Sequence, residues 1–526
     1  MTTRPAIKQT TQDVRAASLY AEAVTLVESG REFEAADKLD AALGVKPDFA
    51  EALSLGAYLL DRRGKPETAL RFYLRASTCR PDLPTTWSNM GKLLFRFDRF
   101  EEALAAFEAA SRLSPGQADI YNSRAGALRA LGRLEESAAA ARAALRSRPR
   151  FAEASLNLGT ALLKLGLLQE ALEAYRDAKA AQPDFGDAHC GEALALRALD
   201  RIDEARAAFD AAERLGSREA ISGKGCLDLM MGDFEHGWEG YEARWIAGKS
   251  LAEALGIRFP TWTGPGKPGE RVLVFNDHGL GDTIQFSRYL PLMARAGAVV
   301  TFVCPPRLRR LLGPHVCARL VDKAPQGEDF DAQVALSSLP RAFATRIENV
   351  PTPIPYLAAE PERIERWAAG IGRRGFKIGV AWQGNPNPEA DMARSFPLVE
   401  LAPLARVPNA RLISLQAGFG IEQIAHVNFD VESPGVDFDI GSDAFLDAAA
   451  VIAHVDLVVT CDTSIAHLAG ALGRPVWVVL KRDAEWRWLR GREDSPWYPT
   501  MRLFRQHVVG EWGAVFRELA ERLAAS

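Results

Sequence analysis

Prolines stand at positions 47, 81, 115, 149 and 183, each 34 residues after the last. Alanines keep the same step at 35, 69, 103, 171 and 205, with Ser137 filling the place between 103 and 171. A third register runs through Ala42, Ala76, Ala110, Ala144, Ala178 and Ala212. Chance does not hold three registers over this many periods, so the first half of the chain is an array. A 34-residue period is that of a helix–turn–helix unit. Small residues at fixed points let helices approach closely, and a proline ends the second helix of each unit. One unit cannot bury its own apolar face, so stacking makes the core. Six units are predicted over 16–219, after a tail at 1–15. A degenerate closing unit, "ISGKGCLDLMMGDFEHGWEGYEARW", extends the array to 16–245.

The clearest copy, 84–117, carries Trp87, Gly91, Ala103, Phe107, Ala110 and Pro115, and resembles the tetratricopeptide repeat. That resemblance implies a concave groove for extended peptides or partner proteins, lined by the first helix of each repeat. Asn89 and Asn157 share one register and are the candidate acceptor-groove residues. In arrays of the O-GlcNAc transferase type, asparagines at this register hold an acceptor backbone. The other copies carry Ala21, Leu55, Ser123 and Gly191, so the ladder is partial. An array that only stabilises or dimerises the protein is the plainer reading, and a homo-oligomer fits it.

Beyond the array, proline and glycine rise and periodicity fails over 246–270, which is read as a linker. Short apolar runs then alternate with helical stretches. The predicted strands are 271–276, 298–304 and 331–336, then 377–384, 411–416, 456–460 and 475–480. Strand–helix alternation predicts parallel sheets covered on both faces. Two series predict two Rossmann-like halves, 271–370 and 371–526, with an amphipathic closing helix. Ligands of such sheets sit at the carboxyl ends of the strands.

The stretch "CDTSIAHLAGALGRP" falls at such an end. Asp462, Thr463 and Ser464 are helix-start residues, and a helix start offers free N–H groups to an anion. Ser464 and His467, three apart, share a face in the first turn. Simple helix capping explains the same residues. Asp282 follows Gly279-Leu280-Gly281 at the end of the first strand, where a carboxylate can take a proton from a hydroxyl or merely cap a helix. Asp277 and His278 are second choices in that loop. Trp382, Gln383, Gly384 and Asn385, with Gln416 and Gly418, follow the first two strands of the second half and are expected to line a pocket there.

Three segments in order carry a further resemblance. "DTSIAHLAGALGRP", "VLVFNDHGLGDTIQFSRYLP" and "ARSFPLVELAPL" resemble bacterial heptosyltransferases over roughly 270–510. With "FEHGWEGYEARW" and "WRWLRGREDSPWYPTMRLFRQ", the whole chain resembles bacterial tetratricopeptide-repeat glycosyltransferases, including those proposed to modify flagellin. The implied fold is an α-solenoid of tetratricopeptide repeats followed by an α/β GT-B fold. The implied activity is metal-independent, inverting sugar transfer from a nucleotide-sugar donor to serine or threonine hydroxyls of a protein such as flagellin. Asp282 matches the general base. Arg394 matches the cation at the donor phosphates, and Gly281, Trp382, Gln383, Asn385, Gln416, Asp462, Thr463, Ser464 and His467 fall at donor-binding positions. No cofactor is implied. For flagellin-modifying relatives the donor is expected to be a CMP-linked nonulosonic acid such as pseudaminic acid. Transfer to a lipopolysaccharide or other glycan, and a non-catalytic scaffold, stay open.

The remaining composition narrows the setting. A net charge of −4 gives no basic footprint for nucleic acid. No apolar run reaches the ~20 residues of a membrane span, and the N-terminus has no hydrophobic signal core, so a cytoplasmic location is expected. Six scattered cysteines suit reduced thiols, and Cys461 reads as a small buried residue. "DFD" at 329–331 and 437–439 is read as chance, so no metal ligands are assigned. The tryptophan-rich stretch 485–498 is read as packing between domains.

Overall fold

The computed structural model describes residues 11–245, 252, 255–386, 393–435, 437–441 and 444–525. Two compact units divide at Ala195 and Leu196. The tail at 1–15 therefore lies mostly outside the described residues, and helix Thr11–Glu28 begins within it.

In the first unit, helices of 13 and 14 residues alternate from Ala50–Arg62 and Pro66–Cys79 to Ala152–Lys164 and Leu168–Ala181. The periodic alanines 35, 42, 69, 76, 103, 110, 144, 171 and 178 are all fully buried. Ser137 keeps its place in that register because its hydroxyl, buried with it, donates to the Ala125 carbonyl at 2.8 Å. Close approach explains a second pairing: a Cβ on Gly91 would come within 2.7 Å of the Phe107 ring, and one on Gly159 within 2.8 Å of Tyr175. The turn inside each repeat needs a left-handed residue. Gly30, Gly64, Gly132 and Gly166 supply it, and Asp98 and Asp200 take the same conformation at φ 57° and 69°. Aspartate is among the few side chains that tolerate that region.

The second unit begins with three helices, Ile202–Arg214, Arg218–Met231 and Phe234–Glu242. The boundary between compact units thus falls inside the stretch read as repeats, upstream of the expected linker. Residues 246–251 and 253–254 of that linker lie outside the described residues. The rest is packed: Ile257 and Trp262 are buried, and Trp262 N–H donates to the Gln333 carbonyl at 2.7 Å. The segment was expected as a linker because its prolines and glycines break periodicity, yet Thr261 pairs in parallel with Gln333 at a sheet edge.

Strands β1 (Arg271–Phe275), β2 (Val299–Val303), β3 (Arg319–Val321) and β4 (Ala332–Ala335) form a parallel sheet in the order β3-β2-β1-β4. Strands β5 (Phe376–Ala381), β6 (Ala410–Ser414), β7 (Leu457–Cys461), β8 (Val476–Leu480) and β9 (Met501–Arg505) form a second parallel sheet, ordered β6-β5-β7-β8-β9. These are the two sheets expected of a GT-B-like α/β region. The central strands are mostly apolar, as expected of strands buried on both faces. The closing helix is Gly513–Ala524, whose Val515, Phe516 and Leu519 pack into the core of the second sheet.

Candidate active site

The loop after β1 is built to hold one carboxylate. Gly279 takes the N-cap position of helix Leu280–Ser287, and Asp282 Oδ2 accepts from its N–H at 3.1 Å. Thr283 Oγ1 donates to Asn276 Oδ1 at 2.7 Å, and Asn276 Nδ2 to the His278 carbonyl at 2.7 Å. Asp282 therefore does cap the helix, but its other oxygen faces away. Oδ1 lies 2.7 Å from Nη2 of Arg487, and the side chain stays 18% exposed.

Arg487 belongs to the second half, in the turn Trp486–Trp488, and is 5% exposed. Its Nη1 donates to Gln285 Oε1 at 2.7 Å, and its Nε and Nη2 donate to Glu485 Oε2 at 3.0 and 2.7 Å. Burial opposes its charge, but Asp282, Glu485 and Asp462 outweigh that and hold its pKa well above the ordinary value. Sequence reasoning missed this residue. It lies in a tryptophan-rich stretch that reads as packing, and no spacing ties position 487 to 282.

The loop after β7 meets the first one. Thr463 takes the N-cap position of helix Ser464–Ala471 without a side-chain cap bond, its hydroxyl lying 3.3 Å from Thr460 Oγ1. The N–H groups of the first turn are thus left uncapped by that side chain. Burial, then the neighbouring Glu485, push the Asp462 carboxyl up to about 6 against the pull of Arg487. A Cβ on Gly281 would sit 2.8 Å from His467 Cδ2 and 3.4 Å from Ser464 Cα, so the two helix starts abut at this glycine. Gly281→Ala is expected to wedge them apart and cost about 1–3 kcal/mol, the usual range for overpacking, read as a lowered melting temperature of the second unit.

Several expected site residues take other roles. His467 shares its helix face with Ser464 as expected, but it is sealed rather than open to an anion. It is 3% exposed, its Nδ1 lies 3.0 Å from Tyr498 Oη, and its ring stacks on Trp488 at 5.4 Å. Burial first, then Arg487, hold it well below the usual histidine range, so it is neutral. The Trp382 side chain does not line a pocket: it is fully buried in the core, with Nε1 donating to the Gly420 carbonyl at 3.0 Å. Gln416 is a loop brace. Its Oε1 accepts from the N–H groups of Trp382 and Gln383, and its Nε2 donates to the carbonyls of Gln383 and Phe419. Gln383 Oε1 accepts from Gln423 Nε2 at 3.0 Å, and Asn385 is exposed.

Arg394 does reach the β7 loop. A Cβ on Gly384 would lie 3.2 Å from Arg394 Nη2 and 3.4 Å from Thr463 Cγ2, so guanidinium and helix start flank the same glycine. Its buried Nε has no hydrogen-bond partner among the described residues. Arg394 is near enough to Asp462, Glu485 and His467 to act on their charges.

Helix Phe234–Glu242 also contributes. Tyr241 Oη lies 2.9 Å from His278 Nε2, and His278 Nδ1 lies 2.9 Å from Asp277 Oδ2. Asp277 also accepts from Ser337 N–H at 3.1 Å and from the Ser337 hydroxyl, while Arg244 Nη2 donates to Ser337 and Ser338. Burial opposes the Asp277 charge, but His278, Ser337 and Arg244 together hold its pKa below the usual value. Asp277 and His278 thus brace helix Phe234–Glu242 and the turn after it onto the β1 loop.

The two "DFD" stretches are internal braces as well: Asp331 Oδ2 accepts from Arg271 N–H at 2.7 Å, and Asp439 Oδ1 from Ala448 N–H at 3.2 Å. Among the described residues no group of three or more histidine, cysteine, aspartate or glutamate side chains is placed to hold a metal ion.

In the first unit, Asn89 faces a cavity of about 280 Å³ lined also by Tyr20, Glu51, Ser54 and Tyr58. Asn157 instead donates to Asn122 Oδ1 at 2.8 Å, a residue one place off the expected register.

Comparison with known proteins bears on both units. The tetratricopeptide repeat family matches residues 20–84, 89–150, 127–184 and 156–220. Glycosyltransferase family 9 (heptosyltransferase) matches 440–480, which spans the β7 loop. The chain carries tetratricopeptide repeats and a heptosyltransferase-like α/β region. It is 29% identical to protein FlbA of Caulobacter vibrioides over 323 residues, covering 56% of this chain and 53% of FlbA. The chain thus spans about half the length of the curated relative it matches. Among solved structures, the tetratricopeptide-repeat protein YrrB is 21% identical, with 36% of this chain and 98% of YrrB covered and a TM-score of 0.32. PilF of Pseudomonas aeruginosa is 17% identical, covering 39% and 94%, with a TM-score of 0.35. No described helix is long and apolar enough to cross a membrane.

Proposed function

We propose that this chain is a cytoplasmic glycosyltransferase that moves a sugar from a nucleotide-activated donor to serine or threonine hydroxyls of a protein recruited by the repeats, with flagellin as the candidate acceptor. The observation that carries the reading is the meeting at Gly281. A partly open carboxylate after β1 and an uncapped helix start flanked by Arg394 after β7 share one contact point.

In this reading the acceptor hydroxyl gives its proton to Asp282 as its oxygen attacks the anomeric carbon. A carboxylate has about four lone-pair positions, and the hydrogen bond from Gly279 and the pairing with Arg487 leave room for another. The bond from the anomeric carbon to the phosphate oxygen breaks with its electron pair on the nucleotide. Arg394 and the first N–H groups of helix Ser464–Ala471 meet that charge. No step is assigned to a metal. The donor is proposed to be a CMP-linked nonulosonic acid such as pseudaminic acid. The test is a purified transfer assay with CMP-, UDP-, GDP-, ADP- and dTDP-sugars and recombinant flagellin from the same organism, read by intact-protein mass. A sugar mass added from one donor supports the reading. No mass gain and no nucleotide release with any donor would overturn it.

A further inference from the structure

Asp282 is the candidate base, and the residue behind it, Arg487, is itself held by a polar construction. Arg487 lies on the second half, while Asp282 and Gln285 lie on the first-half helix Leu280–Ser287. All three guanidinium nitrogens are engaged, and by side chains alone: Glu485, Gln285 and Asp282. The planar fork is held by Glu485 and Gln285 and sets its Nη2 2.7 Å from the buried Oδ1 of Asp282, an ion pair rather than a hydrogen bond, where a flexible ammonium would not be held. Gly279 fixes the other oxygen. The carboxylate plane is therefore set from both sides.

The charge arrangement agrees. Asp282, Glu485 and Asp462 all act on Arg487, while Arg394 and Lys481 act on Glu485 and Asp462. Tyr241 and His278, on the neighbouring elements, also face this cluster.

We propose that Arg487 is the positioning residue of the site, orienting Asp282 for proton removal. This rests on the reading of Asp282 as general base. The alternative is a purely structural tie between the two halves.

The test uses the full chain and the transfer assay above, with Arg487→Gln, Arg487→Lys and Asp282→Asn. Arg487→Gln is expected to lower kcat about 100-fold, the scale of a misplaced catalytic group, with the donor KM within about threefold. Arg487→Lys is expected to restore only part of kcat, because charge returns without the fork. An Arg487→Gln kcat within about threefold of wild type, while Asp282→Asn is inactive, overturns the positioning role alone. Retained turnover in Asp282→Asn overturns the base reading and this proposal with it. Should Arg487→Gln fail to fold, Arg487→Lys decides: a wild-type kcat with the fork gone overturns the proposal.

Discussion

A fragment beginning at residue 246 will not fold into a stable unit, whereas residues 196–526 will. The reason is the aromatic cluster that helix Phe234–Glu242 builds with the second half. Phe234, Trp238 and Tyr241 are all buried. Trp238 meets Trp486 edge-on at 5.2 Å and Trp497 at 6.5 Å, Phe234 stacks on Trp497 at 6.0 Å, and Tyr241 meets Trp486 at 5.6 Å. Removing one such aromatic costs about 3–5 kcal/mol, and a domain has only about 5–15 kcal/mol in all. Polar ties go with it. Trp238 Nε1 donates to the Thr345 carbonyl at 2.8 Å, Arg490 N–H to the Met230 carbonyl at 2.9 Å, and Arg197 pairs with Asp483 at 3.2 Å. The shorter fragment is expected to show no cooperative melt and to aggregate; the longer one is expected to melt cooperatively. The single substitution Trp238→Ala should lower stability by about 3–5 kcal/mol on the same reasoning. A cooperative, monomeric 246–526 fragment would show that the closing helices are an appendage.

Asp282→Asn is expected to lower turnover about 10²–10⁴-fold, the range supplied by a positioned general base. The amide oxygen can still accept from Gly279, so the helix start survives, while the nitrogen cannot take the acceptor proton. Nucleotide affinity should stay within about threefold of wild type, since the phosphate reading places donor contacts on Arg394 and the β7 loop. Steady-state kinetics with calorimetric nucleotide binding separates the two effects. Turnover lost together with binding would mean that Asp282 holds the fold of the site and no more.

Much of this architecture is legible in the residues themselves. The 34-residue registers are packing requirements repeated along one axis, so a single chain exposes them. The apolar strands are legible because both faces of a parallel sheet are buried. The edge strands β3 and β9 were missed: Arg319–Val321 is three residues long, and Met501–Arg505 alternates with arginine. The packed segment around Trp262 reads as a linker because glycine and proline break periodicity whether a segment is loose or docked. In the candidate site, Asp282 and the helix start after β7 follow strand ends, which are local features, whereas Arg394 is marked only by its resemblance to the family's cationic residue. Arg487 and Tyr241 could not be placed, since each acts across about 200 or 40 residues of sequence and only packing brings them to the loop. His467 and Gln416 show the converse error. A polar residue at a strand end looks available for a ligand until the buried groups that already use it are seen.

The central claim is a nucleotide-phosphate site at Arg394 and the start of helix Ser464–Ala471. It is tested most directly by titrating the full chain and Arg394→Ala with CMP, UDP, GDP, ADP and dTDP, following the melt of the second unit. At ~100 times its dissociation constant a ligand stabilises its domain by about 2.7 kcal/mol. The account predicts that one nucleotide raises the wild-type melting temperature and that the shift is lost in Arg394→Ala. No shift with any nucleotide, or an equal shift in the variant, would contradict it.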